Sequence, residues 1–335
     1  MKNLPEIKAL LASSKNIVIT MHANPDADAL GSSLGLYHFL KAQGHTVQVI
    51  APTEYPDFLN WMPGHEVVLA FNDDTEAEIR THFDQAEVVF CLDFSGLRRV
   101  GKMENILDNS RSRKIIVDHH PNPEDFADFI IWDTNAAATA ELIYEMIVAM
   151  DGREVVSKDI ASCLYAGIMT DTGSFRHSST TPKVHRIAAE LMECGANSAR
   201  ISHAIYDTHS LNRLRFLGYA LKELLEVNEE MNVAHFAITQ KVFKEHQLKK
   251  GDTEGLVNYA LSIEGIVVAA LFKEVDDEIK ISFRSFGEIE VNKFAEKYFE
   301  GGGHKNAAGG HSRGTLNSTV AKFEDLINQN VLGTI

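Results

Sequence analysis

Several short stretches of the chain set acids, some beside histidines, where an apolar run ends. The first, MHANPDADALGSS, places His22, Asp26 and Asp28 just beyond the run NIVIT. Pro25 keeps Asn24 out of the α region and stiffens the loop. Asp28 alone could start the following helix, but two aspartates and a histidine in one turn are more acid than a cap requires. Asp93 comes directly after VVFCL, a placement that suits an active site, a turn or a helix cap. Arg98 and Arg99 follow it and could reach a phosphate or coat a helix in solvent. Asp118, His119 and His120 come directly after KIIV, and packing gives no reason for such a triplet there. Asp171, in GIMTDTGSF, ends a helical run before a glycine turn, which it could simply initiate.

Each cue is weak alone, and together they are strong. His22, Asp26, Asp28, Asp93, His119 and Asp171 supply four carboxylates and two imidazoles. Carboxylates gathered this closely repel one another unless cations offset them. Two divalent ions with one bridging carboxylate would do so, and an oxygen-rich set with imidazoles favours Mn²⁺ or Mg²⁺. Such ions, about 3.5–4 Å apart, clamp a phosphodiester and lower the pKa of a bound water. The expected chemistry is metal-dependent phosphoester hydrolysis. Gly31 and Ser32 could let the helix start approach a phosphate.

The elements that would position these groups alternate in type. Asn16–Met21, Thr46–Ala51, Glu87–Leu92 and Lys114–Val117 read as strands, while Ala29–Gln43, Ala136–Met150 and Ser157–Met169 have helical spacing. Strands alternating with helices predict an α/β domain on a parallel sheet over residues 1–197. Residues 198–229 read as a strandless helical connector, and 230–335 as a smaller α+β domain. That second domain carries GGGHKNAAGG, residues 301–310. Its glycines, Gly302 and Gly303 among them, can present backbone N–H groups to an anion, with His304 and Lys305 as further donors. No G-K-[ST] follows, so this is not a triphosphate-binding loop of the Walker type. Arg284, in KISFRS, could face a phosphate or point outward from an edge, and Arg313 is a weaker candidate.

With 335 residues, 44% apolar and 24% charged, the chain is neither disordered nor low in complexity. Its 32 Lys and Arg stand against 47 Asp and Glu, a net charge of −15 that disfavours gripping long nucleic acid. Cys91, Cys163 and Cys194 are odd in number and contain no C-x-x-C pair, which fits a reducing cytoplasm. No apolar run approaches about 18 residues, so a soluble protein is expected.

HANPDADALGS, the Asp93 strand exit, Asp118-His119-His120 and MTDTG resemble, in order, the four motifs of the DHH phosphoesterase superfamily. GGGHKNAAGG resembles the signature of the accessory DHHA1 domain. The two-domain layout is similar to the NrnA type, which joins oligoribonuclease with adenosine 3′,5′-bisphosphate phosphatase activity. This resemblance implies that His22, Asp26 and Asp93 hold one Mn²⁺ and that Asp28, Asp93, His119 and Asp171 hold a second, with Mg²⁺ or Co²⁺ as alternatives. It implies that Asp118, His119 and His120 serve catalysis, with His120 touching the scissile phosphate or tuning the metals. Arg284, Gly302, Gly303 and His304 would bind substrate across an interdomain cleft, with Arg98 and Arg313 as looser candidates. Short single-stranded RNA or a small nucleotide is the implied partner, long duplex DNA and membranes are not, and a homodimer is possible. Cyclic-di-AMP, pApA or pGpG are alternative substrates within the superfamily. A RecJ-like exonuclease, a polyphosphatase and a non-catalytic nucleotide-binding module are the remaining alternatives.

Overall fold

A strand covered on both faces reads as an unbroken apolar run, because neither side chain direction meets water. NIVITM, TVQVIA, VVFCL and KIIV are runs of this kind, and all four lie in one sheet. The computed structural model describes residues 3–249 and 251–334. The chain divides into two units, Met1–Thr208 and His209–Ile335.

The first unit opens with α1 (Leu4–Leu10), β1 (Asn16–Met21), α2 (Ala27–Ala42), β2 (Thr46–Ala51), β3 (Val68–Ala70) and α3 (Glu76–Gln85). It continues through β4 (Val88–Leu92), α4 (Glu104–Asn109), β5 (Arg113–Asp118) and β6 (Phe129–Trp132). Helices α5 (Thr139–Asp151), α6 (Lys158–Asp171), α7 (Pro182–Glu193) and α8 (Ser198–Tyr206) complete it. Its six strands are all parallel, in the order β3-β2-β1-β4-β5-β6. The order reverses between β1 and β4, and open α/β sheets form their crevices beyond the carboxyl ends of strands at such a reversal. Strands β3 and β6, three and four residues long, escape a sequence reading because they are too short to show a pattern.

Successive β1 residues serve opposite cores. Ile17 and Ile19 pack with Leu30 and Leu34 of α2, Ile143 of α5 and Leu164 of α6, whereas Val18 packs with Ile79 and Phe83 of α3 and Leu107 of α4. Each such fully buried side chain contributes about 1.5–3 kcal/mol. Helix α2 is enclosed along most of its length, and Gly31 and Ser32 are buried within it. A Cβ on Gly31 would meet Cys163 of α6. Gly31 therefore serves the α2–α6 contact, while the Ser32 hydroxyl donates to the Ala29 carbonyl within α2.

The second unit runs α9 (Leu211–Tyr219), β7 (Leu225–Asn228), β8 (Val233–Ile238), α10 (Gln240–Glu245), α11 (Leu256–Leu261), β9 (Val268–Val275) and β10 (Glu278–Ser285). It ends with α12 (Val291–Tyr298), β11 (Gly302–His304), β12 (Ala307–Ser312) and α13 (Leu316–Asn328). The sheet order is β11-β12-β10-β9-β8-β7, with β8 and β9 parallel and the other neighbours antiparallel. Phe294 and Phe299 from the α12 region and Phe323 of α13 cover one face, and Phe216 of α9 and Leu256 of α11 contribute to a core on the other.

Two features depart from expectation here. The stretch 198–229 contains a strand, β7, and its helices fall in different units, α8 in the first and α9 in the second. The glycine run, read as an anion-binding element without strands, contains the antiparallel pair β11 and β12. Its glycines are needed for close approach, since a Cβ on Gly301 would lie 2.0 Å from the Gly309 carbonyl oxygen. All three cysteines are free, and Cys91 and Cys163 are buried. Among the described residues no helix is long and apolar enough to cross a membrane.

Candidate metal centre

The carboxyl ends of three adjacent strands, β1, β4 and β5, deliver most of the acids and imidazoles. Beyond β1, Asn24 adopts φ +56° and turns the loop toward α2. Asp26 is the helix cap, its Oδ1 accepting the N–H groups of Asp28 and Ala29 at 3.0 Å each. Its Oδ2 lies 3.8 Å from His22 Nε2. Asp28 is therefore not the cap but sits in the first turn, fully buried. Its two oxygens accept the N–H groups of Thr139, at 2.7 Å, and Ala140, at 2.9 Å, which open α5.

Beyond β4, Asp93 adopts φ +63°, a left-handed conformation that aspartate and asparagine tolerate better than most side chains. Its Oδ2 lies 3.3 Å from His22 Nε2 and its Oδ1 3.5 Å from His119 Nε2. The Thr139 hydroxyl donates to Oδ1 at 2.9 Å. Beyond β5, Asp118 Oδ1 accepts from His120 Nδ1 at 2.8 Å. His119 Nδ1 is 3.2 Å from the Ala136 carbonyl, which directs Nε2 toward the carboxylates. Asp171, the last residue of α6, brings Oδ2 to 3.3 Å from His119 Nε2.

Within this unit three sets of donor atoms lie within 4.8 Å of one another: His22, Asp26 and Asp93; Asp28, His119 and Asp171; Asp93, Asp118 and His120. The six residues expected from sequence to ligate metal are thus brought together. The two oxygens of Asp93 face a histidine from each of the first two sets.

The site is electrostatically poised. Burial raises Asp28 well above the ordinary carboxylate pKa, and the charges of Asp93 and Asp171 push it the same way. Burial alone would raise Asp93 too, but hydrogen bonds from His119 and His22 hold it well below the usual range. Burial opposes charge on His119, yet Asp171 and Asp93 outweigh it and lift its pKa well above normal. His22 follows the same logic, lifted by Asp93 and Asp26 against burial. For Asp118 burial is opposed by the His120 bond, which lowers its pKa. The acids thus favour positive charge at His22 and His119. Carboxylate and imidazole donors in tight sets, most of them buried, fit divalent ions of the Mn²⁺, Mg²⁺ or Zn²⁺ kind. The residues fit a metal centre.

The other candidates are spread out. Arg98 and Arg99 are both exposed, in a 3₁₀ segment anchored where the Arg99 carbonyl accepts the Ala23 N–H at 2.7 Å. Arg99 is the one whose charge acts on His22. In the second unit Arg284 lies on an interior strand and not on an edge, and pairs across the ladder with Ala307, which itself pairs with His304. Directly opposed residues share a face, so Arg284 and His304 flank a small alanine, about 10 Å apart over two strand spacings. Gly302 and Gly303 precede His304 on β11, whereas Arg313 follows β12 at its far end, about 20 Å along the strand from Ala307. Arg313 is therefore not grouped with His304.

Two contributors were not apparent in the sequence. Thr139 joins Asp28 and Asp93 through its backbone and its hydroxyl. Gly167 of α6 admits Asp28, since a Cβ there would fall 2.6 Å from Asp28 Oδ1. A glycine inside a helical pattern was the available signal for it. Thr139 gave none, because its role depends on where α5 begins in space.

Comparison with known proteins gives the chain's family. Residues 16–168 match the model of the DHH family, N-terminal domain, and residues 231–331 match that of the DHHA1 domain. The chain is 30% identical to the bifunctional oligoribonuclease and PAP phosphatase NrnA of Thermus thermophilus, over 92% of this chain and 87% of that protein. It is 29% identical to the protein of the same name from Bacillus subtilis, over 88% of each. An exopolyphosphatase-related protein from Bacteroides fragilis superposes with a TM-score of 0.92 at 38% identity, covering 98% of this chain and 96% of that one.

Proposed function

The chain belongs to the DHH family and carries its DHHA1 domain, and on that premise we propose that it is a metal-dependent phosphoesterase. Its substrates would be short oligoribonucleotides, cut to mononucleotides, and adenosine 3′,5′-bisphosphate. The observation that carries this reading is Asp93, a single buried carboxylate whose two oxygens face two donor sets at the sheet's reversal point. The NrnA names of relatives in two organisms support the substrate class.

His22, Asp26 and Asp93 would hold one ion and Asp28, Asp93, His119 and Asp171 the other, with Mn²⁺ as the resident metal. Bound there, two divalent ions supply an activated water and neutralise charge on the departing oxygen. The protein's own groups orient the rest. Asp118 would accept the Nδ1 proton of His120, fixing the tautomer and the ring plane, and Nε2 would be the nitrogen that touches the scissile phosphate. Thr139 holds Asp93, and the N-terminus of α5 holds Asp28. Arg284 and His304 would hold a phosphate or base of the substrate, with Ala307 leaving space between them. The net charge of −15 fits a short substrate held by a few local cations better than a long strand.

Metal removal tests the reading. Chelation should abolish hydrolysis of a 5′-phosphorylated dinucleotide, and added Mn²⁺ should restore it further than Mg²⁺ or Co²⁺. Because His22 and His119 have raised pKa values, protons compete with the metal, and its apparent affinity should increase with pH. Full turnover in a chelated, metal-free sample would refute the proposal.

Arg284 gives a second expectation. Arg284→Ala should raise KM for the dinucleotide by about ten- to a hundredfold, the loss of a charge-assisted phosphate contact, while kcat falls less. Steady-state kinetics would show this, and an unchanged KM would remove Arg284 from the substrate site.

A further inference from the structure

The chain has two tryptophans, and one of them, Trp132, is hydrogen-bonded to the backbone of His120. Trp132 ends β6 and pairs in the parallel ladder with Asp118 of β5, so their side chains leave the sheet on the same face. Its indole Nε1 donates to the His120 carbonyl at 2.6 Å. That bond fixes the ring beside the loop carrying His119 and His120 and leaves the residue 43% exposed. Isolated exposed apolar residues are common and mean little by themselves. This one differs because its polar edge is tethered, its strand register places it beside Asp118, and Asp118 holds His120.

We propose that the Trp132 ring is a stacking platform for a nucleobase of the nucleotide whose phosphate is cut. The proposal rests on the phosphoesterase reading above and deepens it by naming what recognises the base. A tethered indole offers a rigid π-face at little entropic expense, and every base has a π-face of its own, so recognition tolerates sequence. Purines, with the larger surface, should bind more tightly than pyrimidines. The ring would then select nucleotides over phosphoesters of similar charge without a base.

The test compares wild type, Trp132→Ala and Trp132→Phe, each loaded with Mn²⁺. The substrates are a 5′-phosphorylated adenine dinucleotide and two analogues of it, each lacking one base. Trp132→Ala should raise KM for the dinucleotide by about five- to a hundredfold with kcat little changed. Trp132→Phe, which keeps a ring, should stay within about threefold of wild type. One abasic analogue should be penalised in wild type and not further penalised in Trp132→Ala, the non-additivity expected of two groups in contact. If Trp132→Phe falls as far as Trp132→Ala, and in kcat, the residue acts through its tether to His120 and the stacking role is wrong. An unaltered Trp132→Ala would also overturn it, with the phosphoesterase reading intact. Wild type that cleaves neither the dinucleotide nor either analogue would instead defeat the phosphoesterase reading, and the stacking role with it.

Discussion

Asp93→Asn should lose about a thousandfold or more in kcat, because it removes the carboxylate proposed to serve both ions, whose two oxygens face His22 and His119. The fold should survive. Asparagine tolerates the φ of +63° that this position demands, and an amide oxygen can still accept the Thr139 hydroxyl. Asp93→Ala should lose the same activity but also about 1–2 kcal/mol of stability, since alanine is strained in the left-handed region. The pair separates chemistry from backbone. Metal content, turnover and thermal unfolding of both variants would check it. An Asp93→Asn enzyme within tenfold of wild type at full metal occupancy would contradict the bridging role.

Gly167→Ala should destabilise the first unit and weaken the metal site together. The added Cβ would meet Asp28 Oδ1 at 2.6 Å, the Ala140 Cβ at 2.8 Å and the Asp28 Cα at 3.2 Å. None of these can yield easily, because Asp28 is fully buried and bonded to the start of α5 at both oxygens. Overpacking of this kind in a closed core costs about 1–3 kcal/mol. Relief would come from pushing α6 away from α2, which also shifts Asp171 at the end of α6. The expected result is a lowered unfolding midpoint and at least about tenfold weaker Mn²⁺ activation. Unfolding in denaturant and activity against metal concentration would measure both. A variant with normal stability and normal activation would show that the α2–α6 contact has more slack than these distances allow.

Most of the acids and imidazoles were legible because they lie just beyond an apolar run that marks a strand end, and Asp171 because it ends a helical run. His22, Asp93 and Asp118 needed only local sequence to be placed at carboxyl ends of strands. Their assembly needed the strand order, in which β1, β4 and β5 become neighbours, and an alternating pattern of strands and helices does not specify that order. Thr139 was invisible for the same reason. It is an ordinary helix-start residue until α5 is set against the exits of β1 and β4. Asp26 caps α2 where the alternative reading gave that place to Asp28, because capping depends on which residue leaves the helix first, a matter of one or two positions. The glycine run was read as an anion-binding element, and its pairing as strands was not apparent, because the close approach that Gly301 and Gly303 allow depends on where β12 lies.

The most direct measurement is one chromatographic time course of the Mn²⁺-loaded protein. A 5′-phosphorylated dinucleotide, adenosine 3′,5′-bisphosphate, cyclic-di-AMP and a long single strand would compete in the same tube, with a chelated sample in parallel. The account predicts rapid loss of the dinucleotide and the bisphosphate, slow loss of the long strand, and no loss of any after chelation. Preferential loss of cyclic-di-AMP or of the long strand would contradict the proposed substrate class, and turnover that survives chelation would contradict the metal centre itself.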